Sequence, residues 1–256
     1  MPKLRLFPQK PVSEMDVLRR EIKPGARVVC VGCYDSPRDD PSGLFLAHEM
    51  KARVTAIDMQ AGMHGSGIAL TRLIRTRGVH ISRGEPTPES VERNIRVLDY
   101  GTSATHPGIG GLLNYAQGVR ELQDAGMIKP VRMRYRFGTA WETGTKPGET
   151  DAFVDRGTHL YVMDQGIEKL RNSVAHYIDT LPTGGKTVFF TEAKEAEALR
   201  RILREFRGVV SVRERPVTSA REKDEYIING KGFKADRDYD LAIVMKKMRN
   251  TKKGRK

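Results

Sequence analysis

From Arg27 onward the chain alternates short apolar runs with turn and helical segments, and no other feature limits its fold as much. The runs are RVVCVG (27–32), RVTAID (53–58), VRMRYRF (131–137), THLYVMD (158–164), KTVFFTE (186–192), GVVSVRE (208–214) and YDLAIVMKK (239–247). They have the length of strands, and helical stretches lie between them, which is how βαβ units around a mostly parallel sheet read. Helices are predicted over Val12–Ile22, with Ser13 starting it and Lys23-Pro24-Gly25 stopping it, and over Gly43–Met50, Leu112–Ala125, Ile167–Leu181 and Lys194–Phe206. Seven strands fill one α/β domain of residues 26–247 behind an N-terminal segment, 1–25. The turn residues Asn229-Gly230 and Lys231-Gly232, with EYIIN before them, predict an antiparallel hairpin at the end of the sheet. Residues 59–111 exceed what a crossover needs and read as an insertion over one end of the sheet, either a lid or a packing elaboration.

In an open parallel sheet, ligands sit beyond the carboxyl ends of the strands, where strand order reverses. The loop after the first run, GCYDSPRDDPSG (32–43), turns sharply but has neither GxGxxG nor GxxxxGK[ST]. It carries Asp35, Asp39 and Asp40 against Arg38, so it repels a pyrophosphate and suits a cationic ligand bearing an adenosine. The second run ends in Asp58, placed to accept ribose hydroxyls from such a ligand or, more blandly, to cap the next helix.

IKPGARVVCVGCYDSP, VTAID, VRMRYRFGTAWE, HLYVMD, LPTGGKTVFF and the final YDLAIVMKK, taken in order, resemble the motif set of class I S-adenosylmethionine-dependent methyltransferases. The resemblance spans residues 22–247 apart from the 59–111 insertion, and LPTGGKTVFF is its most specific part. It implies a Rossmann-like seven-stranded sheet, six strands parallel and the last antiparallel, flanked by helices, with S-adenosyl-L-methionine as cofactor. It also implies that Gly32, Cys33, Tyr34 and Asp35 form the cofactor loop and that Asp58 and Met59 meet the ribose. Thr139 and Ala140 would lie at the adenine edge, and Asp164, at the tip of a fourth strand, beside the methyl group. The chain departs from the family pattern at Cys30, where an acid is usual, at Tyr34 and Ser36, where glycines are usual, and at Thr139, which replaces an acid. The methionine amino group would then fall to Asp35 or to the Asp39-Asp40 pair.

Asp164 is the first candidate catalytic residue, as a carboxylate beside a sulfonium, with a helix N-cap as its alternative role. His106, in SATHPGIGG, is the second, as a base or as a pocket or loop histidine; His64 in GMHGSG is similar. No Asn-Pro-Pro-Tyr or Asp-Pro-Pro-Tyr follows the fourth run, which argues against methylation of an exocyclic base amine. Cys30 and Cys33 form a C-x-x-C with no second pair, so they read as a core and a loop residue, and no metal site is expected. Trp141 either stacks on the adenine or closes the pocket wall from outside.

The net charge is +13, from 45 Lys and Arg against 32 Asp and Glu, yet seven of those cations lie in the last eleven residues, KKMRNTKKGRK, which hold no acid. Such a basic tail, 248–256 beyond the last strand, is either a solubilising end or an arm that contacts RNA phosphates with salt-dependent affinity. No apolar run approaches the roughly 18–20 residues of a membrane helix, so no membrane partner is expected. Two cysteines without a disulfide framework point to a reducing cytoplasm. The function expected is methyl transfer from S-adenosylmethionine, to RNA ahead of a small molecule held under the insertion; a Rossmann-like binding protein without catalysis is the rival. Nothing in the residues fixes the oligomeric state.

Overall fold

The computed structural model of the chain describes residues 10–32, 37, 40–58, 107–131, 133–137, 139–164, 166–218, 225–235 and 239–249. Residues 59–106 of the expected insertion lie outside them. In chain order the elements are α1 (Glu14–Glu21), β1 (Arg27–Val31), α2 (Ser42–His48), β2 (Arg53–Asp58), α3 (Pro107–Asp124), β3 (Met133–Phe137), β4 (Ala152–Arg156) and α4 (Thr158–Asp164). They continue with α5 (Ile167–Thr180), β5 (Lys186–Thr191), α6 (Glu197–Glu205), β6 (Val210–Pro216), β7 (Glu225–Ile228), β8 (Lys231–Lys234) and β9 (Leu241–Lys247).

Seven strands pair in the order β3-β2-β1-β4-β5-β9-β6. All neighbours are parallel up to β5, and β9 runs antiparallel to both β5 and β6, which gives six parallel strands and one reversed strand set between them. The central strands are apolar on both sides because both faces are covered. Val28, Cys30, Val154, Val188 and Phe190 pack toward α1, α2, α3 and the β7–β8 hairpin. Val29, Val31, Phe153, Phe189 and Ile243 pack toward α5 and α6. Arginines alternate along β3 because it is an edge strand: Arg134 is exposed and Arg136 half-buried.

Three sequence expectations need correction. The fourth strand is Ala152–Arg156, and THLYVMD (158–164), expected as that strand, is helix α4. All five residues of β4 are buried, including Asp155 and Arg156, and two ionisable residues inside a core strand hide it from an apolar pattern. Gly157, at φ +79°, turns the chain out of the sheet, and Thr158 starts the helix. Second, α3 begins at Pro107, so PGIGG is helical rather than a glycine loop, with proline in the first turn where its missing N–H is harmless. Third, β7 and β8 form the expected Asn229-Gly230 hairpin, but as a separate two-stranded sheet that is not hydrogen-bonded to the main one.

A buried polar assembly ties the layers together. Arg156, 1% exposed, donates through Nε to Glu14 Oε2 at 2.9 Å and through Nη2 to Glu14 Oε1 at 3.3 Å. Tyr226 of the hairpin donates to Glu14 Oε2 at 2.6 Å, and Tyr239 donates to the Arg156 carbonyl at 3.2 Å while its ring lies under the guanidinium, 4.8 Å away. Ser13 holds α1 in place by accepting the Asp16 N–H at 3.0 Å.

Gly157 shows how tight this packing is: a Cβ there would lie 1.9 Å from the Tyr239 hydroxyl, at a left-handed φ. Gly157→Ala is expected to lower unfolding stability by about 2–4 kcal/mol, from the left-handed backbone plus overpacking. Tyr239→Phe in the same chain, which removes the nearest clashing atom, should recover part of the loss. Urea denaturation of the three proteins measures both.

Candidate functional site

Strand order reverses between β1 and β4: the chain passes from β1 to β2 and β3 on one side, then crosses to β4 on the other. The crevice of an open α/β sheet lies beyond the carboxyl ends at such a point. Four of the residues expected at the cofactor are placed around it.

Gly32 follows β1 directly, at φ +77°, and its N–H donates to the Ile57 carbonyl at 2.8 Å. A Cβ at this position would sit 1.7 Å from Thr158 Oγ1, which itself donates to the Val31 carbonyl at 2.9 Å. Glycine is therefore demanded by the first turn of α4 closing against β1, independently of any ligand. Asp58 is the last residue of β2, one beyond Ile57, the register partner of Val31, and pairs in turn with Phe137 at the end of β3. Gly32 and Asp58 thus end adjacent strands at the point of reversal.

After β3 the chain makes a tight turn in which Thr139 and Glu142 exchange N–H···O bonds of 3.2 and 3.1 Å. Ala140 in this turn is fully buried against the α5 side of the core. The Thr139 hydroxyl is buried and has no hydrogen-bond partner among the described residues, an orphaned polar atom at the end of β3. Trp141 is half-buried beneath Lys169 of α5, whose ammonium lies 5.0 Å from the ring centroid, so this tryptophan packs on the outer wall.

Asp164 is not at the tip of a strand as expected: it ends helix α4 and is exposed. Cys33, Tyr34, Asp35, Met59 and His106 lie outside the described residues. Asp40 is 2% exposed, and its Oδ1 accepts the Ser42 N–H at 3.1 Å and the Ser42 hydroxyl at 2.6 Å, which commits it to the start of α2 rather than to a ligand. Cys30 is buried in β1, and burial, with the Asp40 carboxylate adding to it, pushes its thiol well up, so it is inert. Among the described residues no group of three His, Cys, Asp or Glu is arranged to hold a metal ion.

At the true end of the fourth strand stand two residues that sequence reasoning missed. Asp155 is fully buried; its Oδ1 accepts the His159 N–H at 3.1 Å and faces His159 Nδ1 at 3.0 Å, while Oδ2 accepts the Tyr177 hydroxyl at 3.1 Å. Burial first, and the Asp155 carboxylate second, hold the Tyr177 phenol well above its usual range. With Nδ1 turned to Asp155, His159 keeps Nε2 buried without a partner among the described residues, its ring edge-on to Phe189 at 5.5 Å. The signal was in the text, since DRGTH places charged residues immediately before a glycine turn and a helix-starting threonine.

No family model matches the chain, and no curated protein matches its sequence. Solved structures do superpose on it. TrmN from Thermus thermophilus is 16% identical at a TM-score of 0.45, over 91% of this chain and 48% of its own length. A methyltransferase from Pyrococcus furiosus is 12% identical at 0.49, over 92% of this chain and 81% of its own. The N-methyltransferase NodS from Bradyrhizobium japonicum, solved with S-adenosyl-L-homocysteine, is 15% identical at 0.42, over 91% and 84%. Identity and overlap are both too low for a shared function to follow from them.

Burial is the largest influence on the Asp40 carboxyl and raises it; Arg156 and the Ser42 bonds act in the opposite direction without cancelling it, and Glu14 adds to the rise. Folding therefore favours the protonated acid. Its contribution is fully present below the ordinary carboxyl range, about pH 4, and is lost as pH rises through the raised value. Asp40→Asn keeps an acceptor for Ser42 and is expected to match wild type in stability at pH 4 and to exceed it at pH 8. Identical pH dependence of the two proteins in urea denaturation would show that Asp40 ionises in the fold as it does in the unfolded chain.

Proposed function

We propose that the chain is an S-adenosylmethionine-dependent methyltransferase. The observation that carries this reading is the grouping at the point of strand reversal: Gly32 and Asp58 end adjacent strands, with an orphaned Thr139 hydroxyl at the end of the next. A buried hydroxyl without a partner fits the polar edge of an adenine, and an aspartate at the end of the second strand fits a pair of ribose hydroxyls. The charge around the crevice also suits a cation. Residues 32–43 hold three aspartates against one arginine.

The cofactor, when bound, supplies an electrophilic methyl group on sulfur. The chain's own part is to hold and orient. Asp58 would fix the ribose, Thr139 the adenine edge, and the closed turn between Thr139 and Glu142 would set the depth of the adenine end. Fixing donor and acceptor in line provides most of the acceleration in such a transfer. RNA fits the surplus of basic residues better than a neutral metabolite does, and it is the acceptor class we favour.

Isothermal titration tests the reading. Wild-type protein is expected to bind S-adenosylmethionine and S-adenosyl-L-homocysteine. Asp58→Ala should weaken binding by about tenfold or more, the effect of removing a charged hydrogen-bond acceptor, and Thr139→Val several-fold. Absence of heat with both ligands in the folded wild-type protein sinks the assignment.

A further inference from the structure

Strand β6 is the second edge of the main sheet, opposite β3. Its pairing with β9 continues past the ends of the strand: the Val217 N–H donates to the Asp240 carbonyl at 2.9 Å and the Met248 N–H to the Val209 carbonyl at 2.8 Å, both in the register that sets Val212 opposite Met245. Backbone bonds alternate along an antiparallel pair, so Ser211, Arg213 and Arg215 turn their N–H and C=O groups to β9, while Val210, Val212 and Glu214 turn theirs outward. Two described neighbours reach that outer side. The Val210 N–H donates to the Phe206 carbonyl at 3.2 Å, and Val12 closes the far end by donating its N–H to the Pro216 carbonyl at 3.2 Å. Among the described residues the Val210 carbonyl and both backbone groups of Val212 and of Glu214 have no hydrogen-bond partner.

Charged side chains on an edge strand usually keep it from pairing. Here each of them is tied down within the chain: Arg213 Nη2 and Arg215 Nε lie 3.0 and 3.4 Å from the Glu21 carboxylate, and Glu214 receives Arg200 Nε at 2.8 Å and Nη2 at 3.0 Å. The middle of the edge is apolar Val212, 39% exposed. On its face a groove of about 380 Å³ opens between α6 and β6, lined by Arg200, Leu203, Arg204 and Arg207 and by Val210, Val212 and Glu214. Arg200 is matched by Glu214 and Arg204 by Glu197, but among the described residues Arg207 has no carboxylate partner. On the other face Met248, 51% exposed, lies against the Ser211 hydroxyl, which is 3.5 Å from its sulfur.

We propose that this edge is the interface of a homodimer, in which β6 pairs antiparallel with β6 of a second copy, centred on Val212. The two-fold axis of such a pair is perpendicular to the sheet and keeps each side chain on its own face, so the pairing centres on a residue and not between two. A centre at Arg213 or Glu214 would set like charges directly opposite. A centre at Ser211 forms two backbone bonds, because the Val210 N–H is already taken. A centre at Val212 forms four: the two Val212 residues exchange N–H···O bonds, and each Glu214 N–H meets the Val210 carbonyl opposite. The exposed valines then cover one another, and Arg213 lies opposite Ser211. Glu214 of each copy comes opposite Val210, beside the unmatched Arg207, and its carboxylate has lone pairs left for that guanidinium besides its bonds to Arg200. This match of the strand to itself, in hydrogen bonds, apolar contact and charge at one register, is why the occupant is a second copy. The interface is separate from the crevice and does not depend on methyl transfer.

Sedimentation equilibrium of the full chain from about 1 to about 200 µM tests it, with a monomer–dimer equilibrium expected for wild type. Val212→Pro removes an N–H that faces away from β9, so it spares the fold of the sheet, and it should weaken association at least about tenfold by deleting two of the four bonds. Arg207→Glu, which sets carboxylates together in the groove, should weaken it about fivefold or more. Thermal unfolding confirms that each variant is folded. The register is tested by cross-linking in a Cys33→Ser background. Val212→Cys should form an intermolecular disulfide under mild oxidation, because the residues of a hydrogen-bonded pair lie about 5.5 Å apart. Glu214→Cys should not, since four residues of offset place it at least ~13 Å from its own copy. A wild-type chain that stays monomeric throughout the range, as it would if another segment of the same chain closed the edge, overturns the proposal. So does a dimer that both Val212→Pro and Arg207→Glu leave unchanged, or one that cross-links at position 214 and not at 212.

Discussion

The Arg156 guanidinium sits where the layers of this protein meet. An arginine buried to 1% exposure at the end of a core strand is tolerable only if its charge is matched, and Glu14 does that from a helix 142 positions earlier in the chain. Breaking such a pair by removing one partner usually costs about 3–5 kcal/mol, because the remaining charge is stranded in a low dielectric. Around this one contact four separate parts of the chain are fixed: α1 by Glu14, the hairpin by Tyr226, the segment before β9 by Tyr239, and the region before α2 by the field of Asp40. The crevice end of the sheet owes its shape to that requirement as much as to apolar burial. Gly157, next in sequence, is closed off by the Tyr239 hydroxyl, and the neighbouring Thr158 in turn forces glycine at position 32.

This explains what could be read in the sequence and what could not. Strands β1, β2, β5 and β9 announce themselves because each is an uninterrupted apolar run whose burial needs no distant partner. Gly32 and Asp58 were legible for a related reason: each is the residue at which such a run stops. Strand β4 was not legible, since its burial depends on Glu14, His159 and Tyr177 satisfying Asp155 and Arg156, and pairings over such separations leave no periodic trace. The neighbouring THLYVMD took its place in the pattern because a short amphipathic helix and a short strand hold similar apolar counts. With the strand misplaced by six residues, the residue at its tip was misplaced too, and Asp164 was expected at a strand end that Asp155 and Arg156 occupy.

The reversed strand has a further effect on electrostatics. Because β9 runs against its neighbours, it ends at the amino ends of the parallel strands, on the far side of the sheet from the crevice. Strands of six or seven residues separate those two ends by about 20 Å. That exceeds the Debye length of about 8–10 Å at physiological salt, so the cations near Glu21 and the carboxylates near Arg156 are mutually screened wherever solvent lies between them.

A net charge of +13 is therefore a poor guide to any single site on this molecule. Were the reversed strand parallel like the rest, its carboxyl end and the basic residues after it would emerge beside the crevice, where their field would oppose a sulfonium and weaken the acidic assembly around Arg156. With β9 antiparallel, the chain leaves the strand where Lys186 and Arg213 already outnumber Glu21.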